Sequence, residues 1–245
     1  MRDAVALKTE RDEYVARVES LQRQYRKHLP ARSLFFAALA HIGVDLPRTC
    51  WDWLQLRVLP HGDAHASQRT ARLDFHRDTW SSNVYAQTNW WTPIYPITAD
   101  RTIAFYPAYW SGPLPNTSGS WDLEDIRARQ KGGAPDAASI PVVPEPCEPV
   151  DTSAELRMVI EPGDLVCFSG AHLHAGVPNQ TGAARFSVEV RTVNIDDVVS
   201  GRGAPNMDGA APRVALEWFR RVEDGRPPRQ FIASTAAPGE GDSNP

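Results

Sequence analysis

Residues 73–80 read Leu-Asp-Phe-His-Arg-Asp-Thr-Trp, and residues 163–174 read Gly-Asp-Leu-Val-Cys-Phe-Ser-Gly-Ala-His-Leu-His. In the first stretch His76 and Asp78 lie two residues apart at the end of a strand-like run, so both side chains can address one ion. A His-x-Asp pair alone recurs by chance in many proteins. The second stretch adds an imidazole, from His172 or His174, and is followed by Arg185-Phe186-Ser187. Two imidazoles and one carboxylate fill one face of an octahedral ion and leave three positions open. Strand alternation does not choose between His172 and His174, which share a face on that reading.

Working outward, the flanking segments read as short strands. Residues 51–59 (WDWLQLRVL) alternate apolar and polar side chains, as a half-buried strand does. Residues 70–75 (TARLDF) are the strand that delivers His76 and Asp78. Residues 83–95, 101–106, 155–160, 165–169 and 184–193 continue the pattern, with turn-prone Pro96–Asp100 and Glu161–Asp164 between them. On the last strand Arg185, Ser187, Glu189 and Arg191 share a polar face, while Phe186, Val188 and Val190 face a packed layer. A polar stripe inside a small barrel implies a ligand-filled interior.

Two helices precede the strands, over 3–41. The first has apolar residues at spacings near three and four and ends at Pro30; the second runs Arg32–Ala40 and closes near Gly43. Residues 111–150 are rich in Gly, Pro, Ser and Asp, with one helical segment at 121–130. So long an irregular insertion in a compact domain points to a functional element such as a lid. A further helix is expected at about 211–223, and a disordered tail over 234–245. Helices followed by many short strands give a mostly β fold with flanking helices, a barrel or sandwich, in a single domain over 1–233 with its β core at about 50–195.

His76-x-Asp78, the Gly-Asp-Leu-x-x-Phe lead-in, His174 with Pro178-Asn179 behind it, and Arg185-x-Ser187 together resemble the Fe(II)/2-oxoglutarate dioxygenases, and among them the phytanoyl-CoA dioxygenase-like family. The resemblance covers about residues 50–195. It implies a double-stranded β-helix (a cupin-like jelly roll) with iron at its open end. By that resemblance His76, Asp78 and His174 are the metal ligands and catalytic centre, since the second histidine lies six residues beyond the lead-in phenylalanine, Phe168. Arg185 and Ser187 then hold the distal carboxylate of 2-oxoglutarate, for which a planar, permanently charged fork suits better than an ammonium. Gln87 or Asn89 is expected to hydrogen-bond cosubstrate or substrate, and Trp80 and Arg191 to line the substrate cavity. Arg57 and Arg77 are further candidates for binding a carboxylate.

The implied activity is oxidation of a C–H bond of a small molecule, with O2 consumed and succinate released. An amino or organic acid, or a secondary-metabolite intermediate, is the expected substrate. A halogenase of the same fold would lack the carboxylate that Asp78 supplies. The alternative from another class is a cupin-like small-molecule binding protein without oxygenase activity, for which the intact ligand set has no purpose. Residues 76–83 also satisfy H-R-D-x-x-x-x-N, a protein-kinase catalytic loop. No glycine-rich phosphate loop, V-A-I-K strand or D-F-G accompanies it, and the match is read as coincidence.

Composition sets the remaining bounds. In 245 residues, 42% hydrophobic with a net charge of −4, there is material for a sizeable core and no general attraction to nucleic acid or an anionic membrane. Cys50, Cys147 and Cys167 form no CxxC pair and no zinc spacing, which fits a reducing cytosol. No apolar leader or membrane-length run is present. A cytoplasmic protein, with a homodimer formed through the first helix as one expectation, follows from these features. Asn116-Thr117-Ser118 and Asn179-Gln180-Thr181 match the glycosylation pattern but carry no meaning without a secretion signal.

Overall fold

A computed structural model describes residues 2–62, 72–131 and 141–230, with side chains described from residue 10 and up to residue 129 before the second gap. The chain begins with two helices, α1 (Arg2–Arg26) and α2 (Leu29–His41). The second starts earlier than the sequence suggests. His28 caps it by accepting from the Ala31 N–H at 3.2 Å, and Pro30 sits in the first turn, where its missing N–H costs nothing. Gly43, at φ +90°, ends it in the left-handed region.

The β structure forms two antiparallel sheets. The larger holds β1 (Thr49–Trp51), β2 (Gln55–Leu59), β3 (Gln87–Pro93), β6 (Val166–Ser169), β8 (Arg185–Asn194) and β9 (Arg220–Arg221). The smaller holds β4 (Ile103–Phe105), β5 (Leu156–Arg157) and β7 (His174–Gly176) in the order β5-β4-β7. Strand β8 is the spine of the larger sheet. Along one edge β3 pairs with it from Gln87↔Val193 to Pro93↔Ser187. Along the other, β2 takes its first half and β1 its second.

The expected strand over 51–59 is therefore two strands, broken at Asp52–Leu54. The break has a cause: buried Asp52 accepts from the Arg191 N–H at 3.0 Å and from Arg191 Nε at 2.6 Å, so its carboxylate replaces the ladder there. Alternation along β8 sorts the layers. Val188 and Val190 pack with Trp90 and Leu54 against Phe36 and Leu39 of α2, and Phe186 packs with Leu56 and Val58 against Val18 of α1. The opposite face carries Arg185, Ser187, Glu189 and Arg191. Trp91, Ile103, Phe105 and Phe168 form the packed layer between the two sheets.

Several elements differ from expectation. Residues 70 and 71 lie outside the described residues, and Arg72–Phe75 forms no strand; the Leu73 carbonyl accepts from the Gly176 N–H at 2.8 Å, and His76 forms a single bridge to His174. Before β3 the chain forms a short helix, α3 (Thr79–Ser82), ended by Asn83 at φ +52°. The helix expected at about 211–223 is a 3-10 turn, Ala215–Trp218, followed by β9. Pairing of Arg220 and Arg221 with Trp51 and Cys50, and full burial of Phe219, fix the extended form against local helical preference. The helix in the 111–150 insertion does form, as α4 (Leu123–Lys131). The expected tail at 234–245 lies outside the described residues. No helix among the described residues is long and apolar enough to cross a membrane.

One carboxylate ties three remote segments together. Asp208 accepts from Trp80 Nε1 at 2.8 Å and from the Leu114 N–H at 3.0 Å, and lies 3.5 Å from Arg77 Nη1. Burial pulls the Arg77 guanidinium below its usual pKa, and Asp208 partly restores it. Removing one partner of a buried pair leaves an uncompensated charge. Asp208→Ala should lower unfolding stability in urea by about 3–5 kcal/mol, with Asp208→Asn losing less because it keeps an acceptor for Trp80. A loss below about 1 kcal/mol for the alanine variant would show that the cluster is not structural.

Candidate metal centre and its cavity

His76 and His174 are locked to each other through the backbone before their side chains do anything. Each N–H donates to the other's carbonyl, both at 3.0 Å. That bridge brings the imidazoles together, with ring centres 4.2 Å apart and the planes tilted by 48°. Asp78 follows at the start of α3. It occupies the N-cap position, yet its carboxylate makes no capping bond and is left for the cavity, 3.9 Å from His76 Nε2. The ligand atoms of His76, Asp78 and His174 all lie within 4.8 Å of one another, a grouping that could hold a metal ion.

Second-layer contacts fix which atoms face that point. His76 Nδ1 lies 2.7 Å from the Asp74 carbonyl and His174 Nδ1 2.9 Å from the His172 carbonyl. A carbonyl only accepts, so each Nδ1 carries the proton and each Nε2 keeps its lone pair. Burial and the neighbouring His174 hold the His76 pKa down, to about 3, so the ring is neutral and ready to bind. Burial opposes ionisation of Asp78, but His174, Arg191, His76 and the Asn89 amide together hold its pKa below the usual carboxylate value.

Asn89 and Gln87 form a relay behind Asp78. The Asn89 amide donates to Asp78 Oδ2, and Gln87 Nε2 donates to Asn89 Oδ1 at 2.9 Å. Gly170 makes room for this. A Cβ there would stand 2.7 Å from Gln87 Nε2. The Gly170 N–H also donates to the Gln87 carbonyl at 3.0 Å. Of the two residues expected to hydrogen-bond cosubstrate or substrate, Asn89 lines the cavity, while Gln87 stands behind it.

His172 is separated from His174 by local structure that alternation could not show. It sits in a turn ahead of β7, stacked on Trp110 with ring centres 4.2 Å apart and outside the three-residue cluster. Trp80 is also placed elsewhere. It is fully buried, packed with Leu114, Leu173 and Val177, and does not line the cavity. Arg77 points the same way, toward Asp208. Asn83, the last residue of the kinase-like match, uses its amide to hold the Ala211 carbonyl at 2.7 Å.

The cavity beside the cluster has a volume of about 220 Å³. Arg185 reaches it from β8, 6% exposed, with Trp91 below its guanidinium at 5.9 Å. Its Nη1 donates to the Thr102 carbonyl at 2.6 Å, while its Nε and the buried Ser187 Oγ have no hydrogen-bond partner. Burial and nearby Arg57 lower the Arg185 pKa to about 10. No carboxylate forms an ion pair with it among the described residues. Arg191 lines the same cavity but is committed to Asp52, and lies between Trp53 and Trp218 at 5.5 Å from each ring. From the insertion, Trp121, Leu123 and Arg127 and the pair Val142–Val143 reach the cavity wall.

No protein-family model and no curated protein sequence matches the chain. Solved structures resemble it loosely. One is described as a non-heme monooxygenase, ThoJ in its apo form, with a TM-score of 0.42 and 15% identity over 71% of this chain and 70% of that one. EvdO2 from Micromonospora carbonacea var. aurantiaca complexed with 2-oxoglutarate gives 0.42 and 16%, over 64% of this chain and 56% of that one. The epimerase SnoN, in complex with Fe3+, alpha ketoglutarate and nogalamycin RO, gives 0.40 and 16%, over 60% and 50%. The chain thus spans about half the length of EvdO2 and SnoN.

The Asn89 contact generates a prediction. Partners that orient metal ligands typically contribute 10- to 100-fold in affinity. Asn89→Ala should weaken Fe(II) binding by about that factor in a chelator-competition titration, whereas His172→Ala should leave it within about two-fold. Equal losses in the two variants would mean that Asn89 has no special hold on Asp78.

Proposed function

We propose that this protein is a non-haem Fe(II)/2-oxoglutarate-dependent oxygenase acting on a small molecule. The observation that carries the reading is one cavity holding two complementary vacancies of charge. On one side, the imidazole Nε2 atoms of His76 and His174 and the Asp78 carboxylate converge, a donor set suited to Fe(II) that leaves positions for other ligands. On the other, buried Arg185 lines the cavity with no ion-pair partner among the described residues, and the buried Ser187 hydroxyl, on the same face of β8, has no hydrogen bond among them. Buried charge and buried polar atoms are costly unless paired. A dicarboxylate that chelates the metal at one end and meets Arg185 and Ser187 at the other satisfies both.

In this reading His76, Asp78 and His174 hold the iron, and Arg185 with Ser187 receives the distal carboxylate of 2-oxoglutarate. Asn89 fixes Asp78 so that one oxygen stays directed at the metal. Trp91 forms an apolar floor that excludes water from the Arg185 pair and strengthens it. When bound, iron and 2-oxoglutarate together supply a two-electron oxidant from O2, with loss of CO2 and formation of succinate, strong enough to oxidise an unactivated C–H bond. Hydroxylation is the outcome the ligand set suits, because Asp78 occupies the position that a halide would need. The double-stranded β-helix and the phytanoyl-CoA dioxygenase-like branch are the finer assignments we favour, on the His76-x-Asp78, His174 and Arg185-x-Ser187 pattern. A cytoplasmic enzyme fits the cysteine usage.

Arginine and lysine differ in the feature that matters here, the planar two-point fork. Arg185→Lys should lower 2-oxoglutarate affinity by about ten- to a hundred-fold while sparing iron binding, since charged hydrogen bonds contribute roughly 1.5–3 kcal/mol each. Titrating 2-oxoglutarate into the anaerobic Fe(II) protein, and following the visible charge-transfer band of the chelate, reads both quantities. An unaltered dissociation constant would remove Arg185 from the cosubstrate site. Absence of the band in the native protein would sink the oxygenase assignment itself.

A further inference from the structure

The insertion helix α4 carries an arginine whose place in the charge pattern is unlike that of its neighbours. Leu123 and Arg127 are four residues apart, so they share the helix face that lines the cavity. Every acidic residue close to Arg127 in sequence is already engaged. Asp125 pairs with Arg129 at 2.9 Å, Asp122 lies 3.2 Å from Arg213, and Glu124 accepts from Arg213. Arg127 itself has no ion pair and no hydrogen bond among the described residues.

The other cations of the cavity are accounted for. Arg191 is held by Asp52 at 2.6 Å, Arg57 faces Glu189 at 3.8 Å, and Arg185 stands beside Ser187 as described. A second donor is left over in the cavity wall. The indole Nε1 of Trp53 is buried and has no acceptor. The same cavity is lined by the aromatic side chains of Trp53, Trp121 and Trp218. Trp121 is fixed by donating to the Pro141 carbonyl at 3.2 Å, and Trp218 by its contact with Arg191.

We propose that the substrate is a compact arene bearing an anionic group, with Arg127 of α4 as the residue that recognises the anion and Trp53, Trp121 and Trp218 as the wall against the ring. The proposal rests on the oxygenase reading only in that it leaves Arg185 to the cosubstrate and the outer cavity to the substrate. Aromatic surfaces favour a flat apolar body, and a guanidinium without a partner favours a carboxylate or a phosphate. The cavity, at about 220 Å³, is below the usual range of roughly 300–1,000 Å³ for small-molecule sites, which limits the ring system to a small one. Arg127 is thereby a specificity-determining residue, and the insertion is part of the substrate site.

Equilibrium dialysis against the anaerobic protein loaded with Fe(II) and 2-oxoglutarate tests this, with indole-3-acetate, 3-phenylpropionate and phenyl phosphate as probes. The carboxamides of the two acids serve as neutral matches. At least one anion should bind about ten-fold or more tighter than its neutral match, the scale of one charge-assisted contact. Arg127→Gln should bring acid and amide to within about two-fold, while Arg129→Gln, on the far side of the helix, should preserve the difference. A preference for phenyl phosphate over the carboxylates assigns the anion as a phosphate. Equal binding of acid and amide, binding by no probe, or discrimination that survives in Arg127→Gln each overturns the proposal. The charge-transfer band separates the two readings. Discrimination lost in Arg127→Gln without a band leaves the anion site standing and removes the oxygenase; a band without discrimination does the reverse.

Discussion

The reciprocal pair of backbone hydrogen bonds between His76 and His174 is the constraint from which the rest of the site follows. It joins a segment with no ladder of its own to the edge of the smaller sheet, and does so at the two positions whose rings must meet. Because the link is through the main chain, ring separation is set by backbone geometry and owes nothing to side-chain attraction. Two imidazoles have little reason to approach each other, and here they are brought together regardless. The same bridge sets the direction in which the chain leaves His76, and so places Asp78 at the head of α3.

Around that bridge the molecule is layered by polarity. Strand β8 turns valines and a phenylalanine outward to the two N-terminal helices, and its arginines, serine and glutamate inward. Inward charges are met one by one: Arg191 pairs with Asp52, Arg57 faces Glu189, and the Asp78 carboxylate accepts from the Asn89 amide within reach of the Arg191 field. What is left unpaired after that accounting is small and specific, and it defines what the cavity asks of a ligand. Among the described residues the unpaired lining groups include donors, namely Arg185 Nε, the Trp53 indole and Arg127, with the Ser187 hydroxyl on the same strand face as Arg185.

The metal cluster was legible in the sequence because its donors are chemically distinctive and two of them are adjacent. The helices over 3–41 and the β8 face were legible because their periods are regular. Other features were hidden for identifiable reasons. The break between β1 and β2 depends on Asp52 meeting Arg191, a residue 139 positions away. Residues Ala215–Arg221 have helical spacing, yet an edge of β1 claims two of them. Trp80 follows the ligand pair so closely that a cavity role looked natural. One turn of helix is enough to swing it into the core toward Asp208. Asn89 reads as polar and inward-facing from alternation, but its hydrogen bond to the Asp78 carboxylate joins positions that no periodicity relates. His172 differs from His174 only through a turn that periodicity does not encode.

The distance along the chain between the two bridged histidines also governs when the site comes into being. His76 and Asp78 are synthesised 98 and 96 residues before His174, and β8, which both edges of the larger sheet require, comes later still. At about 5–20 residues per second, translation of that interval takes roughly 5–20 s. During it the emerging chain has half a metal site and two helices whose apolar faces have no sheet to cover. A growing polypeptide of this kind cannot store an ion early and fold around it. Its three donors can converge only after His174 and the strand that carries it have been made, so the cluster is a late product of the chain's own order of synthesis.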